Sequence, residues 1–347
     1  MELKGNKYGT HRVIEPQGVL PQPATVVNNN MDLLYDNEIR IDVDILNIDS
    51  ASFTQIKEQA NGNISRIKSI IKNIVAQHGK LKNPVTGSGG MLIGTVEKIG
   101  SAIQQQSDIK VGDRIATLVS LSLTPLKIDE IIEVKPEIDQ IKVSAKAILF
   151  ESGIYAKLPA DISETLSLAV LDVCGAPAQT QRLVKKDDTV VVIGAGGKSG
   201  MLCCAAAKEI VGDKGLIIGI DYNDENISRL KKVDVCHQVI KLNASHALQC
   251  YQSIKELTSG SMADVVINNV NIPNTEMGSI LMCKDRGTVY FFSMATSFTK
   301  SALGAEGIGK DVDMLIGNGY AAGHAQLALD IIRRNEKIRT LYEELYT

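Results

Sequence analysis

Apolar and polar residues follow two different patterns along this chain. Within the first 150 residues, Ile39–Ile45 alternates between apolar and polar side chains, as expected for a strand with one buried face. Further short strands are predicted at 93–100 and 110–116, separated by glycine turns, and a helix is predicted at 64–77. This part of the chain is therefore predicted to form a β-rich domain.

Residues 187–320 instead alternate short apolar runs with helical segments. Helices are expected, for example, at 224–232 and 246–258. Strands are predicted at 189–193, 216–220, 237–241, 264–268, 287–292 and 313–316. This alternation predicts an α/β fold with a doubly wound parallel sheet that is buried on both faces.

The C-terminal segment has a pattern of its own. The residues from His324 to Arg334 place apolar side chains at helical spacing, which predicts an amphipathic helix. We predict that this helix returns to the first domain. The β-rich domain then comprises residues 1–155 and 322–347, and the parallel-sheet domain comprises residues 156–321.

A glycine-rich turn follows the first predicted strand of the second domain. The apolar run 190–193 leads into Gly194-Ala195-Gly196-Gly197-Lys198-Ser199-Gly200, and an alanine-rich helix follows. Gly194 permits a tight turn, Gly196 lets the backbone approach a pyrophosphate, and the helix N-terminus offers N–H groups with partial positive charge. Ser199 occupies the third position of the usual Gly-x-Gly-x-x-Gly pattern, which we interpret as a variant. We assign Gly197, Lys198 and Ser199, with the two glycines before them, to a dinucleotide site.

The run Gly197-Lys198-Ser199 also resembles the end of a Walker A motif, which binds nucleoside triphosphates. That motif requires a glycine five residues before its Gly-Lys pair, and Val192 occupies this position inside the strand. The dinucleotide interpretation is therefore favoured, and a turn that binds no ligand is the remaining alternative.

An acidic residue ends the second predicted strand of this domain. Asp221 follows the apolar run 216–220 and can accept hydrogen bonds from both hydroxyls of an adenosine ribose. It would repel the additional phosphate of NADP, and residues 222–226 contain no arginine to offset this repulsion. The sequence therefore predicts NAD as the cofactor. The nicotinamide end is assigned to residues at the ends of later strands: Asn269, Ser293 and Gly317.

Composition narrows the class of protein. The 347 residues are 44% hydrophobic and 22% charged, with a net charge of −3, so we expect no basic surface for nucleic acid. No apolar run reaches the ~18 residues of a membrane span, and the start lacks the core of a signal peptide. The six cysteines show no spacing typical of metal clusters or disulfide frameworks. We expect a cytoplasmic protein that acts on a small molecule and binds neither nucleic acid nor membrane.

Three segments resemble the medium-chain dehydrogenase/reductase superfamily: residues 94–100, Val111–Ile115 with its Gly-Asp turn, and the glycine turn at 194. The resemblance implies a GroES-like β-rich catalytic domain, a Rossmann NAD-binding domain and a homodimer. Two segments, Gly9–Gln22 and Gly194–Met201, are similar to the L-erythro-3,5-diaminohexanoate dehydrogenase family. This closer resemblance implies NAD-linked oxidative deamination of a diamino acid in lysine fermentation, with 5-amino-3-oxohexanoate and ammonium as products.

Many members of the superfamily hold a catalytic zinc, and this chain departs from their pattern. The resemblance places Asp49 where the first cysteine ligand falls and Gly90-Met91 where a His-Glu pair falls. Only Cys174 resembles a retained ligand, and one thiolate cannot build a tetrahedral site. We therefore predict that no metal is bound.

Deamination without a metal still needs a general base. The substrate ammonium must lose a proton before hydride can leave carbon 3, and water must later add to the iminium. Asp49 and Asp172 are the candidate bases, with a solvated loop acid or a helix-terminal charge as the alternative for each. Arg12 or His11, in the N-terminal segment, is the candidate for holding the substrate carboxylate, with a surface turn as the alternative.

Two other functions stay open at this point. A zinc-free reductase of enones or quinones would share the fold, although such enzymes mostly use NADPH and Asp221 counts against that cofactor. A non-catalytic dinucleotide-binding protein would keep the fold without the reaction. An inert protein would have no need of acids at positions 49 and 172.

Overall fold

The computed structural model describes residues 3–293, 295–317 and 319–347. The chain divides between Glu164 and Thr165 into two compact units. The first unit is rich in β-structure and the second alternates strands with helices, which confirms the predicted α/β fold class. None of the helices in the described residues has the length and apolarity needed to cross a membrane.

Antiparallel strands build most of the first unit. After a 3-10 helix at Thr10–Arg12, its elements are β1 (Val13–Glu15), β2 (Val26–Val27), β3 (Glu38–Asn47), α1 (Ser50–Gln59), α2 (Ile64–His78), β4 (Met91–Ile99), α3 (Ser101–Gln104), β5 (Arg114–Thr117), β6 (Leu126–Lys135), β7 (Gln140–Phe150) and β8 (Tyr155–Lys157). β1 pairs with β2, and the larger sheet has the order β6-β7-β3-β4-β5-β8. The strand predicted from alternation at 39–45 is the central strand β3 of this sheet.

Helix α2 shows why the sequence folds as predicted in this unit. Ile67, Ile71 and Ile74 fall on one face at helical spacing and are buried in the core beside the sheet. The side chain of Asn63 accepts a backbone N–H of the first turn and caps the helix. Gly79 ends it with a φ of 70°, which favours glycine.

A buried ion pair ties the N-terminal segment to the sheet. Arg12 and Glu38 are both 0% exposed. Nε and Nη2 of Arg12 donate to the two carboxylate oxygens of Glu38 at 2.8 and 2.7 Å. The other N–H groups of the guanidinium donate to the backbone carbonyls of Asn28, Asn30 and Leu33. Because a buried charge is tolerated only when it is paired and fully hydrogen-bonded, this pair fixes the path of the chain before β1.

His11 extends the same cluster. Its Nε2 lies 2.8 Å from Oε1 of Glu38, and its Nδ1 accepts the N–H of Asn6 at 2.9 Å. Since Nδ1 is an acceptor, the ring proton sits on Nε2, which donates to the carboxylate. The ring also packs against Tyr35, with 4.3 Å between the ring centroids.

The substitution Glu38→Gln tests this cluster. Burial raises the pKa of Glu38, but the hydrogen bonds from Arg12 and His11 outweigh burial and hold that pKa below its ordinary value of 4.5. The carboxylate therefore stabilises the fold above about pH 4.5, and this contribution is lost as the pH falls through the lowered pKa. At neutral pH we expect the variant to lose about 3–5 kcal/mol of unfolding free energy, because Arg12 would be buried without a counter-ion. Urea unfolding at neutral and acidic pH measures the loss, which should shrink in acid.

Glu15 on β1 offers a matched control, because its side chain is exposed. Glu15→Gln is expected to change the unfolding free energy by less than about 0.5 kcal/mol at either pH. Equal losses in the two variants would contradict the stabilising role assigned to the buried pair.

A parallel sheet covered by helices forms the second unit. Its elements are α4 (Glu164–Leu171), which begins at the unit boundary, α5 (Gly175–Leu183), β9 (Thr189–Ile193), α6 (Lys198–Val211), β10 (Leu216–Asp221), α7 (Asp224–Val233), β11 (Gln238–Lys241), α8 (Ala247–Leu257), β12 (Ala263–Asn268), α9 (Glu276–Met282), β13 (Cys283–Phe291), α10 (Phe298–Gly307), β14 (Asp313–Ile316), α11 (His324–Arg334) and α12 (Glu336–Tyr346). The parallel strands have the order β11-β10-β9-β12-β13-β14. The strand order reverses between β9 and β12, and doubly wound sheets bind ligands beyond the carboxyl ends of the strands at this point.

The two C-terminal helices belong to the second unit. The predicted amphipathic helix forms as α11, but α11 packs against α5 and α6, and α12 packs against α7. Leu329 and Ile332 of α11 and Tyr342 of α12 are buried. The structure therefore places residues 322–347 with the parallel-sheet unit instead of the first domain. The amphipathic pattern marks an apolar face but does not say which surface covers it.

Candidate functional site

The glycine turn joins β9 to α6 at the carboxyl edge of the parallel sheet. Gly194 has a φ of 73°, a left-handed conformation that favours glycine. The N–H groups of Gly194 and Ala195 donate to the carbonyl of Ile220 at 2.8 and 3.0 Å. The turn is therefore tied to the end of the neighbouring strand β10, where Asp221 lies.

Gly196 is pressed against the first turn of α7. A Cβ at this position would lie 2.6 Å from both the Cβ and the backbone oxygen of Asn226. Only glycine lets α7 approach the turn this closely. The sequence predicts that Gly196 makes room for a pyrophosphate, and the structure adds a second constraint that comes from the protein itself.

Gly200, and not Ser199, stands at the closest contact between helix α6 and the turn. A Cβ on Gly200 would lie 2.1 Å from the carbonyl oxygen of Gly194 and 2.7 Å from the Cα of Ala195. Ser199 is only half-buried in the first turn of α6. The variant pattern therefore keeps its third packing glycine, one residue later than the usual spacing.

The protein itself engages most of the Asp221 carboxylate, which is 8% exposed. Its Oδ2 accepts the N–H of Gly196 at 3.1 Å. Its Oδ1 accepts the N–H groups of Tyr222 and Asn223 at 2.9 and 3.2 Å. A carboxylate oxygen accepts about two hydrogen bonds, so Oδ2 keeps one acceptor position. This arrangement leaves an acceptor position on Asp221 for one ribose hydroxyl, whereas the sequence prediction expects Asp221 to accept hydrogen bonds from two.

Two residues of α7 support this carboxylate and are missing from the sequence prediction. Nδ2 of Asn226 donates to Oδ1 of Asp221 at 3.2 Å, and Nη1 of Arg229 donates to Oδ1 of Asn226 at 3.2 Å. Arg229 also pairs with Glu225 at 2.5 Å, which balances its charge. A search limited to residues 222–226 misses Arg229, although helical spacing returns residue 229 to the face of residue 226.

An ion pair between Lys198 and Asp172 lies at the start of α6. Nζ of Lys198 is 2.6 Å from Oδ2 of Asp172, and each side chain is 26% exposed. Tyr342 of α12 donates its hydroxyl to the backbone carbonyl of Lys198. The ring of Tyr346 lies 5.7 Å from the ammonium group. Asp172, predicted as a general base, thus stands beside the glycine turn with its charge balanced by Lys198.

The predicted nicotinamide contacts occupy successive strand ends. Asn269 follows β12, Ser293 follows β13 and Gly317 follows β14, so the fold brings them to one edge of the sheet. Met294 and Asn318, which the sequence also places at these strand ends, lie outside the described residues.

Two buried polar atoms near this edge have no hydrogen-bond partner among the described residues. They are Nδ2 of Asn269 and the hydroxyl of Tyr290 on β13. A Cβ on Gly317 would lie 2.6 Å from that hydroxyl, so Gly317 borders it. Burial, together with the nearby Cys203, raises the pKa of Tyr290 and keeps it a neutral phenol. Tyr290 is absent from the sequence prediction because it reads as one more apolar position of a buried strand.

These features of the second unit fit a bound dinucleotide. Gly194 supplies the left-handed turn, and Gly197 at the N-cap of α6 has no side chain to occupy the N–H groups of the first turn, which anions commonly bind. Oδ2 of Asp221 keeps an acceptor position, and the unpartnered amide of Asn269 supplies a donor. Buried polar atoms are normally satisfied, so an orphaned amide at a strand end favours a ligand there.

In the first unit, Asp49 caps helix α1. Its Oδ1 accepts the N–H of Ser52 at 3.0 Å. Its Oδ2 is buried and has no hydrogen-bond partner in the described part of the chain. Leaving a buried carboxylate oxygen without a donor costs free energy. An external donor, such as an ammonium group, would therefore be stabilised at this oxygen.

Arg12 and His11 are not placed to hold a substrate carboxylate. Arg12 has no exposed surface, and its guanidinium is fully engaged by Glu38 and by backbone carbonyls. His11 directs Nε2 at the same carboxylate. The sequence does not separate these roles, because a cation that neutralises a buried acid and one that binds a substrate acid are the same residue types.

The described side chains do not fit the zinc site of the superfamily. No group of three His, Cys, Asp or Glu side chains within the described ranges could hold a metal ion. Burial, with a smaller contribution from Asp172, raises the pKa of Cys174 to about 12. A tetrahedral zinc needs further ligands beside a thiolate, and the described residues supply no such group around Cys174.

Comparison with known proteins identifies the family. Residues 11–159 match the model of the L-erythro-3,5-diaminohexanoate dehydrogenase N-terminal domain. The curated L-erythro-3,5-diaminohexanoate dehydrogenase of Acetoanaerobium sticklandii is 57% identical over 344 residues, which are 99% of this chain and 100% of the relative. The chain belongs to the L-erythro-3,5-diaminohexanoate dehydrogenase family. A second curated member, from Fusobacterium nucleatum, is 55% identical over 343 residues, 99% of each chain. The predicted family resemblance is confirmed.

Solved structures of the same fold are more distant in sequence. A mycobacterial quinone oxidoreductase aligns with 90% of this chain and 82% of its own, at a TM-score of 0.53 and 18% identity. The CurK enoyl reductase aligns with 90% of this chain and 81% of its own, at a TM-score of 0.54 and 16% identity. A further mycobacterial structure, with a TM-score of 0.53, is a complex with NADPH. At such identities the likeness shows the fold alone, a β-rich domain with a Rossmann-type domain.

Two neighbouring glycines allow a matched test of the turn. Gly200→Ala would drive a Cβ into backbone atoms at 2.1 Å, and we expect a loss of about 1–3 kcal/mol in unfolding free energy. A Cβ on Gly197 would meet only the Gly194 oxygen at 3.3 Å, so Gly197→Ala should be far milder. Thermal and urea unfolding compare the two variants, which carry the same new side chain. A milder effect at position 200 than at position 197 would contradict the packing role of Gly200.

Proposed function

We propose that the chain catalyses the oxidative deamination of L-erythro-3,5-diaminohexanoate to 5-amino-3-oxohexanoate and ammonium, with NAD as hydride acceptor, in lysine fermentation. The observation that carries this proposal is the 57% identity, over 99% of the chain, to a curated dehydrogenase of that diamino acid. Identity that spans both units supports a shared reaction, whereas a shared fold alone does not.

Asp49 is the proposed general base. The 3-amino group of the substrate is an ammonium at neutral pH, and without a lone pair its carbon cannot release hydride. The unpartnered Oδ2 of Asp49 would accept a hydrogen bond from this ammonium and then take its proton. Ser52 holds the other oxygen at 3.0 Å, which keeps the carboxylate oriented during the transfer.

The remaining steps consume one water molecule. Bound NAD would supply the acceptor for the hydride of carbon 3, and loss of that hydride would leave the substrate as an iminium. Water adds to the iminium carbon and loses a proton, for which the same carboxylate is available once it has released the first. The carbon–nitrogen bond then breaks. Overall, the ammonium-bearing carbon and one water yield a ketone and an ammonium ion, with one hydride for the cofactor and one proton released.

Asp172 is proposed to position Lys198. Its carboxylate is already paired with the ammonium of Lys198, with 2.6 Å between Oδ2 and Nζ. Lys198 begins α6, where the dinucleotide phosphates are expected to bind. Asp172 would therefore hold this cation in place, and Gly194, Gly196 and Asp221 would form the rest of the NAD site.

A homodimer in the cytoplasm is also part of the proposal. β14 is the edge strand of the parallel sheet, and Met314 and Ile316 on it are exposed. An apolar edge strand favours pairing with a second copy. All six cysteines are free thiols, which is typical of a reducing compartment.

An NADH absorbance assay tests the reaction and the base together. The wild type should reduce NAD with 3,5-diaminohexanoate, but not with lysine or simple alcohols, and should not reduce a quinone with NADH. Asp49→Asn should lower kcat by roughly 10²- to 10⁴-fold, since the amide cannot take the proton. Glu58→Gln, which changes an exposed acid on the same helix, serves as the control and should leave kcat unchanged. No oxidation of the diamino acid by the wild type would overturn the function, and near-normal turnover of Asp49→Asn would remove Asp49 from the mechanism.

Asp221→Arg tests the choice of NAD. We expect a loss of roughly 10- to 100-fold in kcat/KM with NAD, because a charge-assisted bond to the ribose is removed, and a gain with NADP. Asp224→Arg makes the same charge change at a neighbouring acid whose side chain is 82% exposed. Steady-state kinetics with both cofactors measure the preference. If both variants keep the wild-type preference, Asp221 does not contact the ribose.

A further inference from the structure

A small pocket opens in the first unit beside the loop that follows α2. It has a volume of about 190 Å³, and its walls include Thr25, His78, Lys82, Asn83 and Gly87. This volume suits a small organic ion better than a drug-sized ligand or a nucleotide, which needs ~300 Å³ or more. The chemistry of the walls then indicates which ion.

One lysine lines this pocket, and a second, buried lysine lies behind it. Lys80 is 0% exposed, and its Nζ donates to the backbone carbonyls of Pro21 and Gln22 at 2.5 and 3.3 Å. Lys82 lines the pocket, and its Nζ donates to the same Gln22 carbonyl at 3.1 Å. Because both ammonium groups share one carbonyl oxygen, they lie close together.

The positive charge of Lys80 and Lys82 has no carboxylate partner among the described residues. Within residues 3–293, 295–317 and 319–347, neither Lys80 nor Lys82 forms an ion pair with a carboxylate. Burial, and then the charge of Lys82, lower the pKa of Lys80 to about 8. Charged side chains are almost never fully buried unless paired, so an unbalanced buried ammonium favours an anion as its missing partner.

The pocket and Asp49 belong to one hydrogen-bonded network. Asn83, in the pocket wall, donates Nδ2 to the backbone carbonyl of Ser52 at 3.2 Å. Ser52 in turn donates its N–H to Oδ1 of Asp49 at 3.0 Å. Oγ of Ser52 also lies 2.5 Å from Oγ1 of Thr86 in the same loop. The hydrogen bonds thus run from the pocket wall, which Lys82 also lines, to an acid whose Oδ2 has no donor among the described residues.

The N-terminal segment that resembles the family ends beside this pocket, one residue before the lining residue Pro23. Pro21 and Gln22 end the segment that begins at Gly9, and their carbonyls hold both lysines. Oε1 of Gln22 also accepts the hydroxyl of Ser122 at 2.6 Å, which fixes the segment against the loop after β5. The same segment carries Arg12, and the ion pair of Arg12 with Glu38 on β3 anchors the other end of the segment.

We propose that Lys82, supported by Lys80, binds the carboxylate of the substrate in this pocket. This assignment rests on the proposed oxidation of a 3,5-diamino acid. The positive charge of the two lysines would attract the carboxylate at carbon 1 and repel both ammonium groups of the substrate. Oδ2 of Asp49, which has no donor among the described residues, would attract the ammonium on carbon 3. The substrate would thus bind in one direction, and Lys82 takes the role that the sequence assigns to Arg12 or His11.

The test compares the acid with its amide, 3,5-diaminohexanamide, which keeps both amines and lacks the negative charge. The wild type should prefer the acid in kcat/KM by roughly 10- to 100-fold, the worth of a charge-assisted hydrogen bond. Lys82→Met should raise KM for the acid by a similar factor, leave kcat and the KM for NAD nearly unchanged, and abolish the preference over the amide. Lys82→Arg should keep most of the preference. Lys72 is an exposed lysine on α2, so Lys72→Met is the matched control. This variant should keep the wild-type KM for the acid and the wild-type preference over the amide.

Each outcome separates this inference from the proposed function. If the wild type oxidises the diamino acid but Lys82→Met keeps its KM, or loses acid and amide activity equally, the carboxylate lies elsewhere and the reaction stands. If the wild type oxidises neither compound, the function itself fails. Thermal unfolding of Lys82→Met shows whether the variant folds. If it does not fold, Lys82→Arg carries the test, and loss of the acid-to-amide preference in this folded variant would contradict the assignment.

Discussion

The hydrogen bond from the Gly196 N–H to Oδ2 of Asp221 is the constraint on which the second unit depends. A nearly buried carboxylate needs donors, and the glycine turn, the chain after β10 and the side chain of Asn226 supply them. These donors fix the end of β10 to the end of β9 and draw α7 onto Gly196. The same negative charge leaves a poor environment for a second anion, so the interaction that shapes the turn also supports the proposed choice of NAD over NADP.

The first unit distributes its buried charges in two ways. Arg12 and Glu38 neutralise each other, and every N–H group of the guanidinium has an acceptor, so this pair determines the path of the chain and binds nothing else. Among the described residues, Lys80 donates to two backbone carbonyls but has no carboxylate partner, and Oδ2 of Asp49 has no donor. Unbalanced groups lower stability, and proteins retain them where a ligand completes them. Balance thus distinguishes the structural charges from the candidate binding charges.

Sequence patterns predict the strands at 189–193 and 313–316 and the helix at 324–334 with the bounds that the structure shows, because continuous apolar runs and helical spacing are local signals. The partner of that helix is a tertiary property, so its assignment to the first domain does not hold. The structural role of Arg12 is not predicted from the sequence for the same reason, because its burial depends on Glu38, an acid 26 residues away. Asp172 and Lys198 are likewise 26 residues apart, and only the fold brings them into contact.

In the proposed reaction, the substrate contacts of Asp49 and Lys82 have different effects on the kinetics. Deamination removes the ammonium on carbon 3, so the contact with Asp49 changes between the substrate and the product. The carboxylate on carbon 1 keeps its charge throughout, so a contact with Lys82 is equally strong before and after hydride transfer. Interactions of equal strength in the ground and transition states lower KM, whereas those that change along the reaction raise kcat. Asp49, at the reacting nitrogen, would therefore contribute mainly to kcat, and Lys82, at the unreacting carboxylate, would contribute mainly to KM. This difference follows from which charge of the substrate changes during the reaction.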